Sequence, residues 1–131
     1  MAKILIYEDN ESDLIERYAS LTGNHNVHVR HTPSGGFGDG WYHERFRKYG
    51  FNPDNFQDGY GNPSEESADV YFLDGLNGIC FYFLRDLPRD RAFVNSDSTS
   101  ITKQAKEQGF NVVEEETVDE IVDRITKGIV Q

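Results

Sequence analysis

The sequence predicts one α/β domain, a doubly wound parallel sheet of five strands with helices on both faces. Two observations carry this. Short apolar runs suited to buried strands alternate with segments of helical period along the whole chain. Two of those runs also stop abruptly on acids, at Glu8-Asp9 and at Asp74. With 131 residues, one domain is long enough to bury a core of its own.

Residues 3–7, KILIY, form a continuous apolar run bounded by charge, the pattern of a strand buried on both faces. From Asn10 the period becomes helical: Leu14, Ile15, Tyr18 and Leu21 recur on one side, with Asp13, Glu16 and Arg17 assigned to the opposite face. Asn10 followed by Asp13 resembles a capping box, and Gly23 is a natural stop. VHVRHT (27–32) alternates as a second strand. ADVYFLD (68–74) reads as the third, RAFVNS (91–96) as the fourth and FNVVE (110–114) as the fifth. A short helix is expected over 79–87 and another from Ser100 to Gln108, closed by Gly109. A C-terminal helix opens on the capping box Thr117-Val118-Asp119-Glu120, with Ile121, Val122, Ile125 and Ile129 on its inner face.

Residues 33–66 differ from the rest. They hold more than half of the twelve glycines, three of the four prolines and the only tryptophan, without a sustained apolar period. They read as an irregular Gly- and aromatic-rich insertion between the second and third strands, in which WYHERFRKYGF can form one helix ending at Gly50. Tyr42, Phe46 and Tyr49 would share a side of that helix.

Composition narrows the function. The net charge is −10, from 23 acids against 13 bases, which disfavours direct contact with nucleic acid phosphates or anionic membranes. No apolar run approaches the roughly 20 residues of a membrane span. The start, MAKILIY, lacks the features of a signal peptide, and a lone Cys80 precludes an internal disulfide; both suit a cytoplasmic protein.

In a parallel α/β sheet, ligands bind outside the carboxyl ends of the strands. Glu8 and Asp9 end the first strand, Asp74 the third and Ser96 the fourth, so all four are expected on one rim. EDNESD by itself is more often a capped helix start than a metal site. Placed together with Asp74, the acids gain a second meaning.

ILIYEDNESDLIERY followed by DVYFLD resembles the receiver domain of two-component response regulators, over about residues 3–32 and 68–131. The resemblance implies a flavodoxin-like fold and a cytoplasmic signalling role. It implies Mg2+ held by Glu8, Asp9 and Asp74, with Asp9 the more direct ligand of the acid pair. Asp74 would be the phosphoacceptor, and Ser96 (or Ser98) the hydroxyl that contacts the phosphoryl group. Mg2+ suits such a rim because it takes one or two carboxylates plus water and phosphate oxygens. Implied partners are a histidine kinase, a phosphotransfer protein or a downstream effector.

Three departures mark the chain as an atypical receiver. The family's lysine at the end of the fifth strand is replaced by Glu114, with Glu115 where proline is usual. If Glu114 faced the rim it would repel a phosphoryl group by roughly 4 kcal/mol at 4 Å and an effective dielectric of 20. It could instead point away or add a metal ligand. The loop after Asp74 is short, Gly75-Leu76-Asn77-Gly78, and the fifth-strand aromatic that accompanies switching falls near Asn111, with Phe110 adjacent.

Other features are weaker. GGFGDG lacks the Lys-Ser/Thr of a P-loop. HERFRK (43–48) is basic and interleaved with aromatics; it reads as an amphipathic helix packing on the sheet, with a docking surface as the functional alternative. His25, His28 and His31 read as solvated strand residues, and Cys80 as a core residue. The reading is a stand-alone, receiver-like signalling module acting through protein contacts, with Mg2+-dependent phosphoryl acceptance at Asp74 uncoupled or altered. One alternative is a haloacid dehalogenase-type phosphatase, although that chemistry wants a second acid where Leu76 stands. Another is an acidic inhibitor that mimics nucleic acid.

Overall fold

Ile4, Leu5, Ile6 and Tyr7 are all fully buried, which makes β1 (Lys3–Tyr7) the centre of the sheet. A computed structural model of the protein describes residues 1–31, 42–61 and 66–130. On either side β1 pairs in parallel with β2 (Asn26–His31) and β4 (Val70–Leu73). Beyond β2 lies β3 (Phe56–Asp58); beyond β4 lie β5 (Ala92–Val94) and β6 (Asn111–Val112). Among the described residues the sheet thus has six strands in the order β3-β2-β1-β4-β5-β6, all parallel.

The sequence predicts five strands, and β3 is the difference. Its three residues, Phe-Gln-Asp, are too short and too polar to show a strand period, yet Phe56 lies level with Val29 and extends the edge. The segment expected to be irregular therefore contains α2 (Tyr42–Lys48), a 3-10 turn at Pro53–Asn55 and β3. Without β3, the remaining strands run in the flavodoxin-like 2-1-3-4-5 order. With it, the order matches that of dinucleotide-binding sheets, but the first βα turn is acidic Glu-Asp-Asn, with no glycines to admit a pyrophosphate.

Alternation along β1 sends Ile4 and Ile6 to one face and Leu5 and Tyr7 to the other. The first face is covered by α1 (Glu11–Tyr18) through Leu14 and Tyr18, by α5 (Val118–Val130) through Ile121, Val122 and Ile125, and by Phe46 of α2. The second carries α3 (Cys80–Leu84) and Ala105 of α4 (Thr99–Glu107). Full burial of a side chain such as Phe72 stabilises the fold by about 1.5–3 kcal/mol.

The helix ends are chemically specified. Asn10 Oδ1 accepts the Asp13 N–H at 2.9 Å, and Ser98 Oγ accepts that of Ile101. Before α5 both halves of the capping box form at 3.1 Å, between Thr117 and Glu120. Phe46 packs inward as expected, while Tyr49, past the end of α2, is half exposed. GGFGDG and Trp41 lie outside the described residues, as do the side chains of Tyr42, His43 and Ile129.

Tyr60, just after β3, packs on the second face. Tyr60 stacks on Tyr7, whose hydroxyl donates to the Tyr60 carbonyl at 2.6 Å. Glu66 is clasped by buried Arg30 of β2, and the Arg30 guanidinium also donates to the Asn55 carbonyl at 3.2 Å. An unusual turn follows Asp74: Leu76, Asn77 and Gly78 all have positive φ, at 49°, 56° and 93°.

Candidate functional site

Parallel register brings the ends of β1, β4 and β5 to one rim, at the point where strand order reverses between β1 and β4. The Asp74 N–H donates to the Tyr7 carbonyl at 2.8 Å, and the Asn95 N–H to the Leu73 carbonyl at 2.9 Å. These ladder bonds place Glu8, Asp74 and Asn95 side by side. Glu8, Asp9 and Asp74 each offer a carboxylate oxygen, all within 4.8 Å of one another. The expected acid triad is assembled.

What stands among those acids is Arg17. The sequence reading put this residue on the outer face of α1, but its side chain is only 13% exposed. Its Nη1 donates to Glu8 Oε1 at 2.9 Å, to the Asn95 carbonyl at 3.0 Å and to Asp74 Oδ1 at 3.4 Å. Its Nη2 faces Asp97 at 2.8 Å and Asp13 at 3.7 Å. The cause is local geometry. Arg17 lies three residues after buried Leu14 and one before buried Tyr18, so it borders the inward stripe near the rim. A long stem lets its charge reach the acids.

The second oxygens of Glu8 and Asp74 are also engaged. Glu8 Oε2 accepts the N–H groups of Asp9 and Asn10 at 3.1 and 3.3 Å, and Asp74 Oδ2 accepts that of Leu76 at 3.2 Å. Burial nevertheless pushes the Glu8 carboxyl up to about 8; Asp74 adds to the rise and Arg17 opposes it. Asp9 is raised too, by burial and then by Asp74. Burial works against the Arg17 charge, but Glu8 and the other neighbours outweigh it, and its pKa is raised. One guanidinium leaves this rim short of positive charge.

As arranged, the triad does not fit Mg2+. The donor chemistry is right, since all three ligands are hard carboxylate oxygens. However, Mg2+ needs its oxygens at about 2.0–2.1 Å in near-octahedral order. Nη1 lies between Glu8 Oε1 and Asp74 Oδ1, one oxygen from each of two of the three acids.

Ser96 and Ser98 take separate places. Both line a cleft of about 370 Å³ with Asp74, Gly75, Leu76, Asn77, Ser100 and Ile101. Ser96 Oγ accepts the Ser98 N–H at 3.1 Å, while the Ser98 hydroxyl caps α4. Glu114 pairs with Lys106 on the surface, so it neither repels Asp74 across the rim nor joins the acid triad. His25 Nδ1 accepts the Ala2 N–H at 3.1 Å, and His28 is half-buried and His31 buried in β2, not solvated as the sequence suggests. Among the described residues the histidines join no metal-ligating group. Cys80 is buried as expected. In α2, Arg45 bridges to Glu11 at 2.5 Å, binding that helix to the start of α1, while Arg47 and Lys48 face outward.

Sequence reasoning missed Arg17, Asn95 and Asp97. An available signal was the acid excess itself, because carboxylates gathered at two neighbouring strand ends, Glu8 fully buried among them, require a nearby cation. Comparison with protein-family models, with curated proteins and with solved structures found no match for this chain.

Proposed function

We propose that the chain is a receiver-like signalling module that acts through protein–protein contacts, not by turnover of a substrate. The observation that carries this reading is the assembly of Glu8, Asp9 and Asp74 at the strand-order reversal, with Ser96 lining a cleft beside Asp74. That is the placement on which a response-regulator receiver depends. Leu76 is buried where a dehalogenase-type phosphatase needs its second acid. Partners implied by the reading are a histidine kinase, a phosphotransfer protein or an effector, in the cytoplasm. Asp74 is the residue on which a phosphoryl group would be received.

The test has two arms. Purified histidine-kinase phosphotransfer domains are titrated against the labelled chain, and p-nitrophenyl phosphate hydrolysis is followed separately. Saturable binding weakened by Asp74→Arg, with no ester turnover, is expected. Turnover abolished by Asp74→Asn would replace this reading with an enzyme, and absence of binding by every such domain would remove the receiver role.

A further inference from the structure

Four carboxylates from four parts of the fold converge on one side chain. Glu8 ends β1, Asp13 lies in α1, Asp74 follows β4 and Asp97 precedes α4; the Asn95 carbonyl adds a fifth oxygen. We infer that Arg17 is a tethered counter-cation filling the cation position of the acid rim, so that a free divalent ion enters only when the guanidinium leaves. This rests on the receiver-like reading only for calling the rim a cation site.

Three features support it. First, Arg17 contacts two of the three acids that a shared ion would need: Glu8 Oε1 and Asp74 Oδ1 both face Nη1, and their second oxygens hold backbone N–H groups. Second, the arm is held at its base. Leu14 and Tyr18 on either side are fully buried, and the Tyr18 hydroxyl accepts the Asn95 amide at 3.0 Å. Third, an exit exists. Nη2 already faces Asp97, whose side chain is 88% exposed, and Asp13 lies beside it. A swing outward would keep two acidic partners while vacating Glu8 and Asp74. Tethered charge and free cation therefore compete for the same oxygens.

The experiment titrates the full chain with MnCl2 and with MgCl2 alone, by calorimetry and by the Mn2+ electron paramagnetic resonance signal. Wild type, Arg17→Gln, Arg17→Lys and the double variant Arg17→Gln/Asp74→Asn are compared. Arg17→Gln is expected to bind roughly tenfold tighter or more than wild type, and the double variant to lose that gain. Arg17→Lys, which keeps a tethered charge, should stay near wild type. Equal affinity of wild type and Arg17→Gln, or an Arg17→Lys variant as tight as Arg17→Gln, would overturn the inference. If Arg17→Gln unfolds in chelator, recovery of its far-UV dichroism on adding MgCl2 supports the inference and failure to recover overturns it. No partner or phosphate ester is present in these titrations. A negative result here leaves the signalling reading standing, and a phosphatase result there leaves this one standing.

Discussion

Asn95 grips two successive residues of α1: its carbonyl accepts Arg17 Nη1 and its side-chain amide donates to the Tyr18 hydroxyl, both at 3.0 Å. The Tyr18 ring is fully buried and its phenol is pushed well above its usual pKa by burial, so the hydroxyl stays neutral and needs a partner. Asn95→Ala should therefore cost about 1–3 kcal/mol in urea unfolding. Tyr18→Phe/Asn95→Ala should cost clearly less than the two single changes added together, because the double change leaves no orphaned hydroxyl. Strict additivity would show that this hydrogen bond does not hold the helix.

The pH dependence of stability has a signature in β2. Burial, then Lys3 and Arg30, lower the pKa of His28, while Glu66 opposes them. A histidine with a depressed folded pKa contributes stability that is fully present above its unfolded value of about 6.5 and is lost as pH falls through the window below it. The raised Glu8 carboxyl gains stability over the same range, so the His28 contribution is read as a difference: from roughly pH 7 to pH 5 the urea resistance of wild type should fall relative to that of His28→Gln. A variant with an unchanged slope would assign the acid sensitivity elsewhere.

Cys80 should report on opening of the second face. Burial, and then Asp74, push its thiol up to about 12, so the reactive thiolate is scarce. Iodoacetamide at mildly alkaline pH should leave the native chain unmodified by intact mass. In denaturing urea a single adduct should form. Rapid labelling of the native chain would mean that α3 opens readily.

The turn after Asp74 is selective at Asn77, which has φ 56° and lies exposed between two other left-handed residues. Asparagine tolerates that conformation and alanine does not, so Asn77→Ala should cost about 1 kcal/mol and Asn77→Gly close to nothing. Thermal melts of the two variants give the comparison. Equal losses would shift the cause from backbone to side chain.

Breaking the Arg30 clasp should be more costly. Arg30 is buried and Glu66 partly so, and Glu66→Ala would leave the guanidinium with only carbonyl acceptors. About 3 kcal/mol is expected by urea denaturation. A loss near zero would mean that the Tyr71 hydroxyl, which donates to the Glu66 carbonyl at 2.9 Å, suffices to hold Glu66 in place.

Much of the architecture is legible because period and capping are local signals. KILIY, the Leu14–Tyr18 stripe and the Thr117–Glu120 box each specify an element within a few residues. The acid rim is legible too, since parallel strands align their carboxyl ends and three such ends carry Glu8 and Asp9, Asp74, and Ser96. β3 is not, because a three-residue edge strand owes its existence to its neighbour β2 and not to its own pattern. Arg17 is not either. Its partners Asp74 and Asn95 lie 57 and 78 residues away, and helical periodicity marks only that it borders the buried stripe.

Both flanks of the sheet are stubs, with three residues in β3 and two in β6 among the described residues. Such edges present few unpaired backbone groups, so growth of the sheet by a visiting strand has little to build on. A companion molecule must meet side chains instead. For a chain carrying −10, its approach would be guided from a distance by charge, fastest for basic surfaces and slowed by added salt.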